Sequence, residues 1–265
     1  MRRLICAAVA VAALLATTAV TAVTAVTAAT AAPVPPGRVP GIDVSRFQER
    51  IDWSKVALDG IQFAFVQASR GDGTDCTVRP EQCGTDGYYD ANYIGAKSFG
   101  IRVGPYHRAF VGGSGPTQVK ADARAEARVF AASVGDLGGT DLRPALDMET
   151  PFSDLSPYEL RLWARTWLRS VERRLGAKPI IYTNRTSWGA LGDPTWFANH
   201  GYPLWVANWN VTVPAVPALN WAGFSWRVWQ HSSSGTVAGI NGNVDLDWLR
   251  FGWEGVSFSD QPIVN

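Results

Sequence analysis

Eight short apolar runs, separated at first by stretches of helical periodicity, limit what this chain can fold into more than any other feature. Runs of this length and composition are typical of buried strands. The predicted strands are residues 41–45, 63–69, 102–110, 144–148, 179–183, 204–209, 226–231 and 244–246. Strands that alternate with helices predict a parallel sheet with right-handed crossovers, and eight of them predict a closed α/β architecture, a (β/α) barrel.

The predicted helices are concentrated in the first two thirds of the chain. They comprise residues 54–58, 91–99, 118–133 and 156–175. The last of them begins with Ser156, Pro157 and Glu159 in a capping box and ends at Gly176, because glycine favours a helix C-terminus. Since the later connections carry little helix, we expect an irregular barrel, TIM-barrel-like but with reduced helices in its C-terminal part. A doubly wound open sheet is the alternative, which no G-x-G-x-x-G or phosphate loop supports.

The N-terminal residues differ in composition from the rest of the chain. A cationic start, an apolar stretch and a small-x-small cleavage site at residues 29–31 predict a secretory signal peptide over residues 1–31. Repeated threonines in the apolar stretch argue against a permanent transmembrane anchor. Residues 32–40 are rich in proline and predict an extended linker. Residues 41–265 predict a single barrel domain, long enough for one large core, in a secreted, extracellular protein.

The cysteines of the chain fit an exported protein. Cys6 would leave with the signal peptide, so Cys76 and Cys83 remain as one pair. In an oxidising compartment this pair predicts a disulfide that closes a short loop, worth roughly 2–3 kcal/mol in the loop-entropy model. The alternative is a metal site, but two cysteines without a nearby histidine make a poor one.

Neither the charges nor the histidines of the chain indicate a nucleic acid, membrane or metal partner. The chain carries 24 basic and 23 acidic residues, for a net charge of +1, and the loss of two arginines with the signal peptide leaves it close to neutral. This balance does not favour a polyanion or an anionic membrane as partner. His107, His200 and His231 show no ligand spacing, so we expect no catalytic metal and no cofactor. We expect the mature chain to be a monomer.

Two acidic residues, Asp147 and Glu149, directly follow an apolar run and are separated by one residue. Side chains alternate along a strand, so both carboxyls project from one face, with Cα atoms roughly 6.5–7 Å apart. Hydrolysis of a glycosidic bond uses two carboxyls roughly 5–9.5 Å apart. Like charges at the end of a buried strand are costly unless they are used or solvated. The pair therefore predicts glycosidase chemistry, and a purely structural role is the alternative.

A closed barrel would bring further acids to the same place. Active sites of such barrels lie at the C-terminal ends of the strands, where Asp147 and Glu149 end the fourth strand and Asp43 ends the first. Closure makes the first and last strands neighbours, so Asp245 in the last strand should approach Asp43. Repulsion and burial would then raise at least one pKa and supply a protonated acid near neutral pH. Asp43 could instead cap a helix or turn, and Asp245 could be a surface turn acid.

Twelve tryptophans are the compositional outlier of the chain. Most should pack in the core, but sugar-binding clefts also use tryptophan to stack on apolar sugar faces. The aromatic residues near predicted strand ends are Tyr106, Tyr182, Trp205, Trp209 and Trp229. Core packing competes with sugar binding for each of them, since aromatic residues on strands usually pack inward. We predict that Tyr106 and Trp209 line the cleft and that Tyr182 is a further substrate contact.

Several short blocks, taken in order, resemble one enzyme family. The blocks are Gly41-Ile42-Asp43-Val44-Ser45-Arg46-Phe47-Gln48, Tyr106-His107, Leu146-Asp147-Met148-Glu149, Ile181-Tyr182-Thr183, Trp205-Val206-Ala207, Trp229-Gln230-His231-Ser232 and Val244-Asp245. Within residues 41–249, nearly the whole predicted domain, they resemble glycoside hydrolase family 25, the lysozymes that cut bacterial peptidoglycan. The resemblance implies a 1,4-β-N-acetylmuramidase that cleaves between N-acetylmuramic acid and N-acetylglucosamine.

The resemblance also implies a role for each acid. Glu149 would protonate the leaving oxygen and later deprotonate the incoming water. Asp147 would orient and stabilise the N-acetyl group of the substrate as this group attacks the anomeric carbon, an exception to the scheme with two catalytic carboxyls. Asp43 and Asp245 would hold the sugar and tune the catalytic pair. A barrel that binds wall glycan without cutting it, and a glycosidase of chitin-like polymers, are the competing hypotheses.

The chain departs from the family pattern at two positions. After the second strand the family usually has Lys-x-Thr-Glu-Gly, whereas this chain has Arg70 in place of the acid. An arginine there would pair with a neighbouring carboxylate and lower its pKa, or bind a carboxylate of the substrate. Asn208 stands where family members often carry histidine.

Overall fold

The computed structural model describes three stretches of the chain, residues 34–73, 84–152 and 154–250. They belong to one compact unit. The predicted signal peptide over residues 1–31 and the predicted disulfide between Cys76 and Cys83 lie outside the described residues. Within the described part, no helix is both long and apolar enough to cross a membrane.

Strands and helices alternate along the described residues. The strands are β1 (Arg38–Val44), β2 (Phe63–Arg70), β3 (Gly84–Thr85), β4 (Arg102–Arg108), β5 (Ala145–Asp147), β6 (Ile180–Thr183), β7 (Leu204–Ala207), β8 (Val228–Gly235) and β9 (Val244–Arg250). The helices are a 3-10 turn (Arg46–Gln48), α1 (Trp53–Leu58), α2 (Tyr89–Ser98), α3 (Gly115–Val134), α4 (Pro157–Leu175), α5 (Arg185–Ala190), α6 (Trp196–Asn199) and α7 (Pro217–Ala222), the last with left-handed dihedral angles at residues 218–221.

Eight of the strands close into a barrel in the order β1–β2–β4–β5–β6–β7–β8–β9, and β9 pairs back onto β1. This arrangement confirms the predicted α/β barrel and the existence of all eight predicted strands. The short strand β3 lies outside the ring, antiparallel to β2. After α4, the described helices shorten to six residues or fewer, which agrees with the helix-poor C-terminal part expected from the sequence.

The last strand differs from the prediction of an all-parallel sheet. The strands from β1 to β8 in the ring pair in parallel, but β9 is antiparallel to both β8 and β1. Its connection to β8, residues 236–243, is shorter than the dozen residues that a parallel crossover needs, so the two strands form a hairpin. The start of β9 therefore lies at the same end of the barrel as the ends of the parallel strands.

The first strand begins earlier than predicted, inside the segment that the sequence assigns to a linker. Arg38, Val39 and Pro40 belong to β1 and pair with the C-terminal half of β9. Val39 is buried against the barrel interior, which explains why the strand extends over these residues.

Two apolar layers hold the barrel together. One fills the barrel interior, where the rings of Phe65 and Trp205 stack at 4.3 Å. The other lies between the strands and the surrounding helices and includes Trp163 and Trp167 of α4. The fully buried tryptophans are Trp163, Trp167, Trp188, Trp205, Trp221 and Trp229. Trp53 and Trp226 are also buried in the core, so core packing accounts for eight of the twelve tryptophans of the chain.

Candidate active site

A cleft opens at the end of the barrel where the parallel strands finish. Its walls include the last residues of four strands, Val44, Arg70, Arg108 and Asp147. The other residues that line it are Asp43, Ser45, Phe47, Gln48, Gln67, Tyr106, Glu149, Tyr182, Trp205, Gln230 and Asp245. The predicted positions Asp43, Arg70, Tyr106, Asp147, Glu149, Tyr182 and Asp245 thus share one cleft.

Asp147 and Glu149 meet at a single nitrogen atom of Arg108. The Nη1 of Arg108 donates to Asp147 Oδ1 at 2.9 Å and lies 3.1 Å from Glu149 Oε1. The two acids differ in their access to solvent, because the side chain of Asp147 is 10% exposed and that of Glu149 is 29% exposed. The arrangement therefore places a nearly buried carboxyl beside one that solvent and substrate can reach.

The protonation of this pair reflects burial opposed by a cation. Burial raises the pKa of Asp147 to about 7, although Arg108 opposes the rise. Burial also raises the pKa of Glu149, and Arg108 again acts in the opposite direction. A carboxyl pair of this kind retains a proton near neutral pH, as a general acid requires.

A second acidic group occupies the opposite wall, where β1 meets β9. Asp43 and Asp245 are directly opposed in the antiparallel register, so the predicted proximity is correct although the strand direction was not. Gln230 Nε2 donates to Asp43 Oδ2 at 2.7 Å, and Trp205 Nε1 donates to Asp247 Oδ1 at 2.8 Å. These contacts fix two of the three carboxyls in the wall.

Burial and mutual repulsion keep this acidic wall partly protonated. Burial, then Asp247 and Asp245, raise the pKa of Asp43 well above its usual range. Burial raises the pKa of Asp247 to about 7, and burial with the charge of Glu149 raises that of Asp245 to about 6. The alternative role of Asp43 as a cap is wrong, because Ser45 caps the 3-10 turn that follows.

Arg70 reaches the cleft through an irregularity in β2. The register between β2 and β4 shifts between Gln67 and Ser69, so Arg70 pairs with Arg108 rather than with a residue on the outer face. A bulge of this kind turns the following side chain to the other face of the sheet. Burial, followed by the charges of Arg46 and Arg108, lowers the pKa of Arg70 to about 10.

The aromatic predictions divide into lining and supporting positions. Tyr106, Tyr182 and Trp205 line the cleft, whereas Trp229 packs between the barrel and its outer layer. Trp209 is not one of the described lining residues, and its side chain, on a residue 46% exposed, donates to Gln230 Oε1 at 2.9 Å. It therefore contacts a residue of the cleft wall, and a direct contact of Trp209 with the substrate stays a prediction.

Asn208 organises a loop instead of entering the cleft. Its Oδ1 accepts from the backbone N–H of Ala215 at 2.7 Å, and its carbonyl oxygen accepts from Trp229 Nε1 at 2.8 Å. The difference from the family pattern at Asn208 therefore affects the loop that follows β7.

Sequence reasoning missed three polar residues of this region: Arg108, Gln230 and Asp247. Arg108 follows Tyr106, and Asp247 follows Asp245, with the period of two that places side chains on one face. That period was the available signal. Gln230 stands in the block Trp229-Gln230-His231-Ser232, but its contact with Asp43 depends on the closure of the barrel.

His107, on the other face of β4, does not enter the cleft. Its Nδ1 lies 2.8 Å from Ser69 Oγ, and its Nε2 lies 2.7 Å from Glu126 Oε2 on α3. Both His107 and Glu126 are buried. Across the described stretches, no group of three or more His, Cys, Asp or Glu side chains is arranged to hold a metal ion.

Comparison with known proteins gives one consistent family. Residues 42–240 match the model of the glycosyl hydrolases family 25. Lysozyme M1 of Streptomyces globisporus is 33% identical over 215 residues, which cover 78% of this chain and 66% of that protein. The uncharacterized protein YegX of Escherichia coli O6:H1 is 37% identical over 214 residues, 78% of this chain and 68% of that protein.

Solved structures agree with these relatives. The crystal structure of the bacterial lysozyme from Streptomyces coelicolor superposes with a TM-score of 0.68 at 30% identity, over 82% of this chain and 94% of that one. A muramidase from Acremonium alcalophilum superposes with a TM-score of 0.65 at 27% identity, over 80% of this chain and 94% of that one.

Proposed function

The chain belongs to family 25 of the glycosyl hydrolases, and on that premise we propose that it is a secreted lysozyme that acts by N-acetyl-assisted catalysis. Its substrate bond is the β-1,4 bond between N-acetylmuramic acid and N-acetylglucosamine in bacterial peptidoglycan. The observation that carries the proposal is the contact of Arg108 with both Asp147 and Glu149 at the floor of an open cleft. This contact holds two carboxyls that differ in solvent exposure beside one guanidinium nitrogen.

Glu149 acts as the general acid and later as the general base. Its carboxyl is the more exposed of the pair, so it is the one that can reach the bridging oxygen of a bound glycan. Its raised pKa keeps a proton available for the oxygen that leaves with the glucosamine residue. After the leaving residue departs, the ionised Glu149 takes a proton from the water that attacks the anomeric carbon.

Asp147 acts on the acetamide of the muramic acid residue. The Nη1 hydrogen bond from Arg108 and the charge of Arg70 both favour its ionised form. An ionised Asp147 accepts a hydrogen bond from the acetamide N–H, which makes the acetamide oxygen a better nucleophile toward the anomeric carbon. The bond from the anomeric carbon to the leaving oxygen breaks as the bond to the acetamide oxygen forms, and the proton from Glu149 completes the leaving group. When water later attacks the anomeric carbon, the bond to the acetamide oxygen breaks and the acetamide is regenerated.

Asp43 and Asp245 hold the sugar on the wall where β1 meets β9. Their raised pKa values leave protons that donate to sugar hydroxyls, while their unprotonated oxygens accept from them. Tyr182 contributes to the same wall through Gln230, to which its hydroxyl donates at 3.0 Å.

Secretion is part of the proposal and rests on the composition of residues 1–31. Expression of the full chain in a bacterium that exports proteins should yield a product in the medium that begins after Ala31. A product retained in the cell with its N-terminus uncut would contradict secretion and would leave the proposed chemistry unaffected.

Digestion of purified peptidoglycan, followed by analysis of the new reducing ends, tests the reaction. The proposal requires new muramic acid ends. Products that end only in glucosamine, or cut peptides with intact glycan, would overturn it. Binding without any hydrolysis between pH 4 and 8 would favour a glycan-binding barrel, and faster cleavage of chitin oligomers than of peptidoglycan would favour a chitin-directed enzyme.

A further inference from the structure

The wall of the cleft formed by β2 and β4 carries two neighbouring guanidinium groups. In the shifted register Arg70 lies beside Arg108, and both side chains face the cleft. Without the shift, strict alternation from Gln67 would turn Arg70 away from the cleft. The bulge therefore has the specific effect of adding a second arginine to this wall.

The surroundings of Arg70 order its side chain. The guanidinium carbon lies 4.5 Å from the centre of the Phe110 ring, a cation–π contact that fixes the plane of the group. Arg46 and Arg108 are close enough for their charges to lower the pKa of Arg70. A guanidinium presents five N–H donors in a rigid fork, a geometry that matches the two oxygens of a carboxylate.

The two walls of the cleft have opposite character. Arg70 and Arg108 lie on the β2–β4 side, whereas Asp43 and Asp245 lie where β1 meets β9. A substrate that carries an anion close to the scissile bond binds most favourably with that anion beside the guanidinium groups, because the carboxyls of the other wall offer it no positive charge. The distribution of charge thus fixes the side on which such an anion lies.

Given the proposed function, we infer that Arg70 binds an ionised carboxylate of the glycan, namely that of the 3-O-lactyl group of muramic acid. Planar, two-pronged recognition of carboxylate is the chemistry to which a guanidinium is best suited. Arg108 contributes charge on the same wall while it holds the catalytic acids.

This assignment places the enzyme in a sequence of reactions. In intact peptidoglycan the lactyl carboxyl is an amide of the stem peptide and carries no charge. It becomes a carboxylate only after that amide bond is hydrolysed. The preferred substrate is therefore a glycan strand whose stem peptides have been removed, and a hydrolase of the amide between the lactyl group and the stem must act first.

A matched pair of substrates tests the assignment. The first is stem-free glycan with free lactyl carboxylates, and the second is the same glycan after its carboxyls are converted to methylamides. We expect the wild-type kcat/KM to favour the carboxylate form by about tenfold or more, which corresponds to about 1.4 kcal/mol or more, since a hydrogen bond to a charged partner is stronger than one to a neutral amide. Arg70→Gln should abolish this preference mainly through KM, and Arg70→Lys should keep part of it.

Arg169→Gln is the control, because Arg169 is an exposed arginine on α4 next to Trp196 rather than in the cleft. It should leave the preference unchanged. If Arg70→Gln instead lowers kcat on both substrates equally, Arg70 only tunes the catalytic acids and the inference is wrong. Faster cleavage of glycan with intact stem peptides than of the stem-free carboxylate form would also overturn it, because the bound anion would then belong to the peptide.

A binding measurement separates this inference from the proposed function. Calorimetric titration of wild-type and Arg70→Gln protein with the two glycans requires no turnover. If the wild type cuts neither glycan, the proposed function fails. Tighter wild-type binding of the carboxylate form, lost in Arg70→Gln, would still support the inference, and equal binding of both forms by the wild type would refute it.

Discussion

Strand β4 carries a hydrogen-bonded network of ionisable side chains on each of its faces, and the two networks differ in their access to solvent. On the inner face Arg108 joins Asp147 and Glu149 at the open cleft. On the outer face His107 joins Glu126 beneath α3, where their side chains are 0% and 1% exposed. Both networks contain carboxyls whose pKa is raised by burial. A shifted pKa therefore does not by itself distinguish a site of chemistry from a structural network.

Access and hydrogen bonding distinguish the two networks. Both ring nitrogens of His107 are bonded, and Glu126 also accepts from the backbone N–H of Phe110 at 3.1 Å. Burial lowers the pKa of His107 to about 3, so the imidazole is neutral, and both of its ring nitrogens are engaged within the protein. The inner network contains the permanent charge of Arg108 and opens on a cleft that a polysaccharide can enter.

The largest expected effect is on the stability of the outer network. Glu126→Ala leaves His107 and the N–H of Phe110 buried without their partner, so it should lower the free energy of unfolding by about 3–5 kcal/mol. Chemical denaturation measures this loss. Activity per folded molecule should stay within a few-fold of wild type, and a loss of kcat without a loss of stability would contradict the division between the networks.

Asp147→Asn should act in the opposite way. It removes the anion that orients the acetamide while keeping the shape of the side chain, so kcat should fall about 100-fold, or about 2.7 kcal/mol of transition-state stabilisation. Steady-state kinetics on soluble peptidoglycan fragments measure the effect. If the acetamide took no part in the reaction, the kcat of Asp147→Asn would stay close to that of the wild type. An unchanged kcat would therefore rule out the proposed role of Asp147.

Arg108→Gln should reduce kcat about tenfold and shift its pH dependence. Arg108 lowers the pKa of both Asp147 and Glu149, so its removal raises them. The alkaline limb of the profile, where Glu149 loses its proton, should therefore move to higher pH. Arg108→Lys should restore much of the wild-type profile. A loss of activity with an unmoved limb would mean that Arg108 supports the fold of the cleft and does not tune its acids.

The smallest expected effect concerns the acidic wall. The pKa of Asp247 rises from 3.8 to about 7 on folding, so its contribution to stability is present at low pH and lost as the pH rises toward 7. Asp247→Asn removes this loss, so the stability of the variant relative to the wild type should be higher at pH 8 than at pH 5, and thermal denaturation at the two pH values measures the difference. The reverse order would show that Asp247 is stabilised as an anion.

Much of this architecture could be read from the sequence because apolar runs identify buried strands whatever their partners. The pairing of Asp147 with Glu149 followed from alternation along one strand. The direction of β9 did not follow from the number of strands. It depends on the connection over residues 236–243, which is too short for a parallel crossover. The proximity of Asp43 and Asp245 was nonetheless correct, since closure makes their strands neighbours in either direction.

The remaining features depend on contacts between distant parts of the chain. The bulge that turns Arg70 into the cleft lies between Gln67 and Ser69, and no glycine or proline at these positions indicates it in the sequence. The hydrogen bond between Gln230 and Asp43 joins residues that are 187 positions apart in the sequence. Side-chain alternation would have revealed Arg108, but only after the cleft was known to lie on its face of β4.

A matched pair of isosteric variants tests the central claim that chemistry belongs to the inner network alone. Glu149→Gln and Glu126→Gln make the same change on opposite sides of the barrel wall, and kcat on purified peptidoglycan is measured at equal concentrations of folded protein. We expect Glu149→Gln to lose at least about 100-fold in kcat with its melting temperature nearly unchanged, and Glu126→Gln to lose stability but keep kcat within a few-fold. Wild-type activity in Glu149→Gln would contradict the account.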